Sequence, residues 1–150
     1  MNKILVGLDG SARAPHVLDT AVDLAQLTGA TVYLYRAVGL PSELPAIALS
    51  MSPGETSALL QRLAQQHLHD LEHSVPNVRR GGTSVSLAIP WQGICEAARR
   101  VGADLIVIGS HGYGGLDRLL GTTAAKVVNH ARVSVMVVKE AAVADQDRVG

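Results

Sequence analysis

Five glycines, Gly109, Gly112, Gly114, Gly115 and Gly121, crowd into thirteen positions directly behind the apolar run Leu105–Ile108. A helical pattern then opens on Gly121-Thr122-Thr123. Strand, glycine-rich loop and helix start is the order of parts that binds phosphate. Glycines let backbone N–H groups approach an anion closely, and a helix start adds unpaired donors and the positive end of its dipole. Gly109, Gly112, Gly121, Thr122 and Thr123 are therefore candidates to cradle a polyphosphate. The plain alternative is that Gly109 ends a strand and Gly121 starts a helix, with Thr122 or Thr123 as its N-cap. The loop holds neither G-x-x-x-x-G-K-[ST] nor G-x-G-x-x-G, so neither a Walker A loop nor a Rossmann dinucleotide fingerprint applies.

Other side chains could add chemistry. Asp9, at the tip of the first strand pattern, could bond a ribose hydroxyl or hold a metal-bound water; the alternative is an Asx-type turn. Ser11 could touch a ligand or cap a helix. His111 inside the glycine loop could act as a base or phosphate contact, or sit exposed. Arg118 could neutralise phosphate, or be solvated. His69 and His73 share the i,i+4 spacing of metal-binding pairs, but no Cys or acidic set with metal-site spacing accompanies them, so no metal ligand is assigned. His67 falls on an apolar helical stripe and is expected at the core edge. Cys95 lies between Ile94 and Ala97-Ala98, the setting of a packed thiol. No Ser/His/Asp or paired-carboxylate constellation assembles from the sequence.

The elements that must position these residues alternate. Strand patterns cover Lys3–Leu8, Thr31–Ala37, Thr83–Leu87, Leu105–Ile108 and Ser134–Lys139. Helical patterns cover Pro15–Leu27, Leu59–Leu71, Pro90–Val101 and Thr122–His130, with glycines at 29 and 102 as stops. Residues 38–54, with three prolines, form a long connection, and the polar residues 141–150 a flexible tail after a domain of 1–140. This alternation predicts an α/β, doubly wound, five-stranded parallel sheet of order 3-2-1-4-5, with helices on both faces. Ligands of such sheets bind beyond the carboxyl ends of the strands where the order reverses, between strands one and four. Asp9-Gly-Ser11 and Gly109-Ser-His-Gly112 meet there. The last strand lies at a sheet edge, and an apolar edge is hazardous unless covered, so residues 134–139 are expected to pair two copies of the chain.

The 150 residues suit one domain with a sizeable core. Hydrophobic residues make up 47% of the chain, mostly Ala, Val, Leu and Ile, which fits a parallel sheet sandwiched by helices. The formal net charge is zero, which disfavours duplex nucleic acid as a partner. No apolar run approaches the ~20 residues of a membrane span. The N-terminus runs straight into a strand pattern without a secretory n-region. With one cysteine and no leader pattern, the expected location is cytoplasmic.

From Lys3 to Lys139 the chain resembles the universal stress protein family. The resemblance rests on Lys3-Ile-Leu-Val-Gly-Leu-Asp9-Gly-Ser11, Gly102-Ala-Asp-Leu-Ile-Val-Ile-Gly-Ser-His-Gly112, Gly121-Thr-Thr-Ala-Ala-Lys-Val-Val-Asn-His-Ala131 and the closing strand Val133–Val138. It implies the fold inferred above, a cytoplasmic homodimer and, in one branch, ATP bound through G-x2-G-x9-G-[ST]; another branch lacks the motif and does not bind ATP. Here Gly109-x2-Gly112 matches, but eight residues rather than nine separate Gly112 from Gly121. Gly114-Gly115 can absorb the deletion, at the cost of re-aiming the phosphate-binding amides. By the same resemblance Asp9 faces the nucleoside, and the backbone of Ala37 reads adenine. The nucleotide set is thus Asp9, Ala37, Gly109, Ser110, His111, Gly112, Arg118, Gly121, Thr122 and Thr123, with ATP as the ligand and Mg2+ as its companion. Only His111 and Asp9 could serve as a general base, no Walker-type lysine is present, and Lys126 is expected to point away. A nucleotide-binding stress-response module without efficient catalysis is the leading reading. The alternatives are a slow ATP-hydrolysing enzyme and a nucleotide-free dimerisation module.

Overall fold

A computed structural model of the chain describes residues 1–39, 52–110 and 120–140. Its strands are β1 (Lys3–Gly7), β2 (Thr31–Val38), β3 (Arg80–Leu87), β4 (Leu105–Gly109) and β5 (Ser134–Val138). Its helices are α1 (Ala14–Thr28), α2 (Pro53–Glu72), α3 (Pro90–Val101) and α4 (Thr122–His130), with a 3-10 turn at Asn77–Arg79. All neighbouring strands pair in parallel, in the order β3-β2-β1-β4-β5. The doubly wound sheet expected from the sequence is the sheet the chain forms.

Two apolar layers cover the two faces. On one, Val17, Leu18, Ala21 and Ala25 of α1 and Leu68 of α2 pack on Ile4, Val6, Val32, Leu34, Leu105 and Val107. On the other, Ile94, Ala97 and Ala98 of α3 and Ala124 and Val127 of α4 pack on Leu5, Tyr35, Ile106 and Ile108. The alternation along each strand makes this division, since successive side chains leave opposite faces. Ile4, Val6, Leu18, Val107 and Val127 are wholly buried. Burying a Val, Leu or Ile side chain is worth about 1.5–3 kcal/mol each, so these layers dominate the stability of the sheet. Tyr35 is buried as well, and its hydroxyl meets Ser86 Oγ at 2.5 Å; burial holds its pKa above the ordinary phenol value.

Helices α1 and α3 stop on Gly29 and Gly102, at φ 78° and 70°. This left-handed conformation costs a side chain that glycine lacks. At the amino edge of the sheet, the Asn2 amide donates to Asp104 Oδ2 at 2.7 Å and the Lys3 amide to Oδ1 at 3.3 Å, tying the start of β1 to β4. The Asn2 bond leads the causes that hold the Asp104 carboxyl below the usual carboxylate range.

Most boundaries fall within a residue of expectation, and two differ by more. The connection anticipated over 38–54 is narrower, because Val38 ends β2 and α2 begins at Pro53 rather than near Leu59. The cause is a capping box: Ser52 Oγ accepts the Glu55 amide while Glu55 accepts the Ser52 amide. Strand β3 starts at Arg80 rather than Thr83, with its register against β2 shifted between Val32 and Tyr33. Strand β5 ends at Val138, one residue before its expected end. The anticipated flexible tail, 141–150, and most of the long connection lie outside the described residues.

Candidate functional site

A cleft of about 530 Å³ opens at the carboxyl ends of β1 and β4. That size falls within the range of small-molecule sites. The position follows from the winding. β1 feeds α1 over one face and β4 feeds α4 over the other, so the two loops diverge and leave a crevice between them.

The β1 loop builds one wall. Asp9 Oδ1 accepts the Ser11 amide at 2.9 Å, and Ser11 Oγ accepts the Arg13 amide at 3.2 Å. The Asx-type turn considered from the sequence is therefore present, and it holds the Asp9 carboxylate at the cleft, which Asp9 and Ser11 both line. Behind this loop, a Cβ on Gly10 would come within 2.8 Å of Arg36 Nη2, so the guanidinium of β2 packs against the loop backbone. Arg36 Nη1 also meets His67 Nδ1 at 3.2 Å. A guanidinium only donates, so Nδ1 accepts and carries no proton. Burial first, then the Arg36 charge, hold the His67 pKa below the ordinary histidine value. His67 is half-buried at the core edge, as its place on the apolar stripe suggests.

The β4 side supplies Gly109 and Ser110, and α4 supplies Thr123 and Ala124. Ser110 is buried, its amide donates to the Val138 carbonyl at 3.0 Å, and its own carbonyl accepts the Gly121 amide at 2.7 Å. These bonds fix the start of α4 against the end of β4. The N-cap of α4 is Gly121, and no side chain caps the helix. This corrects the alternative that Thr122 or Thr123 serves as N-cap: both are helical, Thr122 exposed and Thr123 lining the cleft. Gly121 and Thr122 flank the wall without lining it.

Of the residues assigned from sequence, the cleft thus gathers Asp9, Ala37, Gly109, Ser110 and Thr123. His111, Gly112 and Arg118 lie outside the described residues. Several lining residues had no sequence argument: Arg13 and His16 of the α1 start, Pro90 and Ile94 of α3, and Lys139 and Glu140 after β5. Arg13 Nε is ion-paired with Glu140 Oε1. His16 Nε2 donates to the Lys139 carbonyl at 3.1 Å. Only the pairing of β5 beside β4 brings Lys139 and Glu140 to this site, and a helix start in the sequence gives no signal of it.

Other candidates resolve simply. Lys126 stands 6.0 Å from the Trp91 ring centroid, away from the cleft, as expected. Cys95 is half-buried, and burial pushes its thiol pKa up, the opposite of an activated nucleophile. His69 lies 3.8 Å from Glu72, and among the described residues no His, Cys, Asp and Glu cluster could hold a metal ion. No helix among the described residues is long and apolar enough to cross a membrane.

The sequence profile of the universal stress protein family matches residues 1–139. Universal stress protein A homolog 1 of Coxiella burnetii is 30% identical over 142 residues, covering 90% of this chain and 94% of its own. A universal stress protein solved in complex with cAMP superposes with a TM-score of 0.68 at 21% identity, covering 93% of this chain and 98% of that one. A universal stress protein from Archaeoglobus fulgidus, solved in complex with dAMP, gives 0.58 at 22% identity over 93% of this chain and 98% of that one. At these identities the two structures establish a shared fold.

Proposed function

The chain belongs to the universal stress protein family, and on that premise we propose that it is an adenine-nucleotide-binding regulatory module, with ATP as the ligand. The observation that carries this reading is the lining of the cleft. Ala37, Pro90, Ile94 and Ile108 offer apolar surface to a heterocycle, while Asp9, Ser110 and Thr123 offer polar groups beside an uncapped helix start. Two relatives of the same fold hold an adenine ring, as cAMP and as dAMP, which supports the adenine part. The Ala37 backbone lies at the β2 end for the base, Asp9 stands at the centre for the ribose, and the α4 start stands on the β4 side for phosphate. Gly112, His111 and Arg118 complete the proposed set from the sequence, and Mg2+ would accompany the nucleotide. Its chemistry would be charge neutralisation, and the acidic side chains lining the cleft are Asp9 and Glu140.

We propose binding without efficient turnover, in the cytoplasm. Mass spectrometry of the small molecules released from purified protein tests this reading. An intact adenine nucleotide supports the binding module, ADP recovered after loading with ATP supports slow hydrolysis, and an empty protein supports the dimerisation module. Titration calorimetry of Asp9→Asn then tests the ribose contact. Asn keeps the acceptor that the Ser11 turn needs but loses the charge, so ATP affinity should fall about 10-fold with the fold intact, the size of one charge-assisted hydrogen bond. Unchanged affinity would remove Asp9 from the site.

A homodimer through residues 134–139 belongs to the same proposal. β5 is an edge strand whose Val135, Met136 and Val137 are only half-buried. Light scattering should give twice 15.7 kDa for the wild type and a shift toward 15.7 kDa for Met136→Lys; a dimer untouched by the substitution would place the interface elsewhere.

A further inference from the structure

The described wall of the cleft carries two acids, Asp9 and Glu140, and two full cations, Arg13 and Lys139. Its formal charge is thus balanced, which is an odd provision for a polyphosphate. The balance is not evenly placed. Ala37 marks the β2 side of the cleft, while Arg13, Lys139 and Glu140 lie on the other. Gly109 pairs with Val138 across β4 and β5, so Lys139 and Glu140 continue directly beside Ser110. The α1 start reaches the same corner: a Cβ on Gly109 would sit 3.2 Å from Val17 Cγ2, one turn after Arg13. The Arg13–Glu140 ion pair therefore stands at the end of the cleft where phosphates, not the base, would lie.

Resting on the adenine-nucleotide reading above, we propose that Arg13 sets the preference for the number of phosphates, and that Glu140 is its built-in competitor, displaced when a terminal phosphate takes the guanidinium. Both side chains are about a third exposed, at 34% and 39%. A pair so placed is weak enough to exchange, because solvent already shares its charges. A phosphate offers the planar guanidinium the same two-oxygen geometry as a carboxylate with more charge. The exchange needs Glu140 to leave without the sheet edge peeling away. The bond from His16 Nε2 to the Lys139 carbonyl provides this, pinning the backbone one residue before the acid. No bond is made or broken covalently; one ion pair replaces another.

Calorimetry with tripolyphosphate, ATP and adenosine on wild type, Glu140→Gln, Arg13→Gln and the double variant tests the exchange. Glu140→Gln should tighten ATP and tripolyphosphate about 2- to 5-fold, the value of one exposed ion pair, and leave adenosine unchanged. Arg13→Gln should weaken ATP and tripolyphosphate about 10-fold and leave adenosine unchanged, and in its background Glu140→Gln should have no further effect. Equal changes for adenosine and ATP would overturn the proposal, since both residues would then act by packing. Additive effects in the double variant would overturn the competition. Binding of tripolyphosphate that responds to Glu140→Gln, with no binding of adenosine or ATP, would sustain the exchange and refute the adenine reading. No response from any of these anions would refute the exchange, whatever the fate of the base.

Discussion

Helix α2 begins on Ser52, whose hydroxyl accepts the Glu55 amide while the Glu55 carboxylate accepts the Ser52 amide. Helix α4 begins on Gly121, which has no side chain to do either. The contrast extends to the other two α-helices. The starts of α1 and α3 also lack a side-chain cap, and Ala14, Pro90 and Thr123, from the first two residues of α1, α3 and α4, all line the cleft. Helix α2 contributes nothing to that wall and satisfies its own first turn. Every helix start carries amides that need an acceptor. The α2 start is closed by its own side chains, whereas Gly121 leaves the first turn of α4 without a side-chain acceptor beside the cleft.

Three substitutions break or sharpen this contrast, the largest effect first. Gly121→Asp would give α4 the cap it lacks, and the backbone at φ -60° and ψ 159° accepts it. The new carboxylate would take the first-turn amides and repel phosphate. Calorimetry should show ATP affinity reduced by at least about 10-fold, equivalent to ~1.4 kcal/mol, with the melting temperature held or raised. Undiminished affinity would mean that the α4 start is not the phosphate seat. Ser52→Ala removes the cap from α2 instead. Denaturant unfolding should show a loss of about 1 kcal/mol, while ATP affinity stays within about twofold because the two sites are independent.

The smallest effect concerns His67 on α2. Its folded pKa lies below the ordinary value, so the unfolded chain binds the proton first as pH falls. The stability it contributes is present above about pH 6.5, the ordinary histidine value, and is lost as pH drops through the lower folded pKa. His67→Gln should flatten the stability–pH curve in that interval without altering ATP affinity at pH 7. A curve of unchanged slope would show that burial at this position does not discriminate between the two charge states.

How much of this was legible in the sequence depends on the range of the interaction concerned. The apolar run Leu105–Ile108 and the period of α1 declared themselves, because burial on a parallel sheet imposes a local pattern. The capping box is also present as Ser52-Pro-Gly-Glu55, but the Pro-Gly pair reads as a breaker, so the periodic pattern opens the helix only at Leu59. Arg80-Gly81-Gly82 likewise lacks β-formers, so the strand pattern opens only at Thr83. Yet Gly82 takes φ 127° inside a strand, where the register shift against β2 absorbs it. For the site, Asp9, Gly109 and Ser110 followed from strand ends alone. Arg13 and Glu140 did not, since 127 positions separate them and only the order of the strands brings them together.

The chain has a single tryptophan, Trp91, next to Pro90 on the cleft wall, with its ring 4.4 Å from the ring of His130. The geometry makes the molecule its own fluorophore. Trp91 lies on α3 and His130 on α4, so the indole sits at the contact between the two helices. Its emission would register any shift of the α3 start against α4. Filling of the cleft could then be followed by eye of a spectrometer, with no label attached and no residue changed.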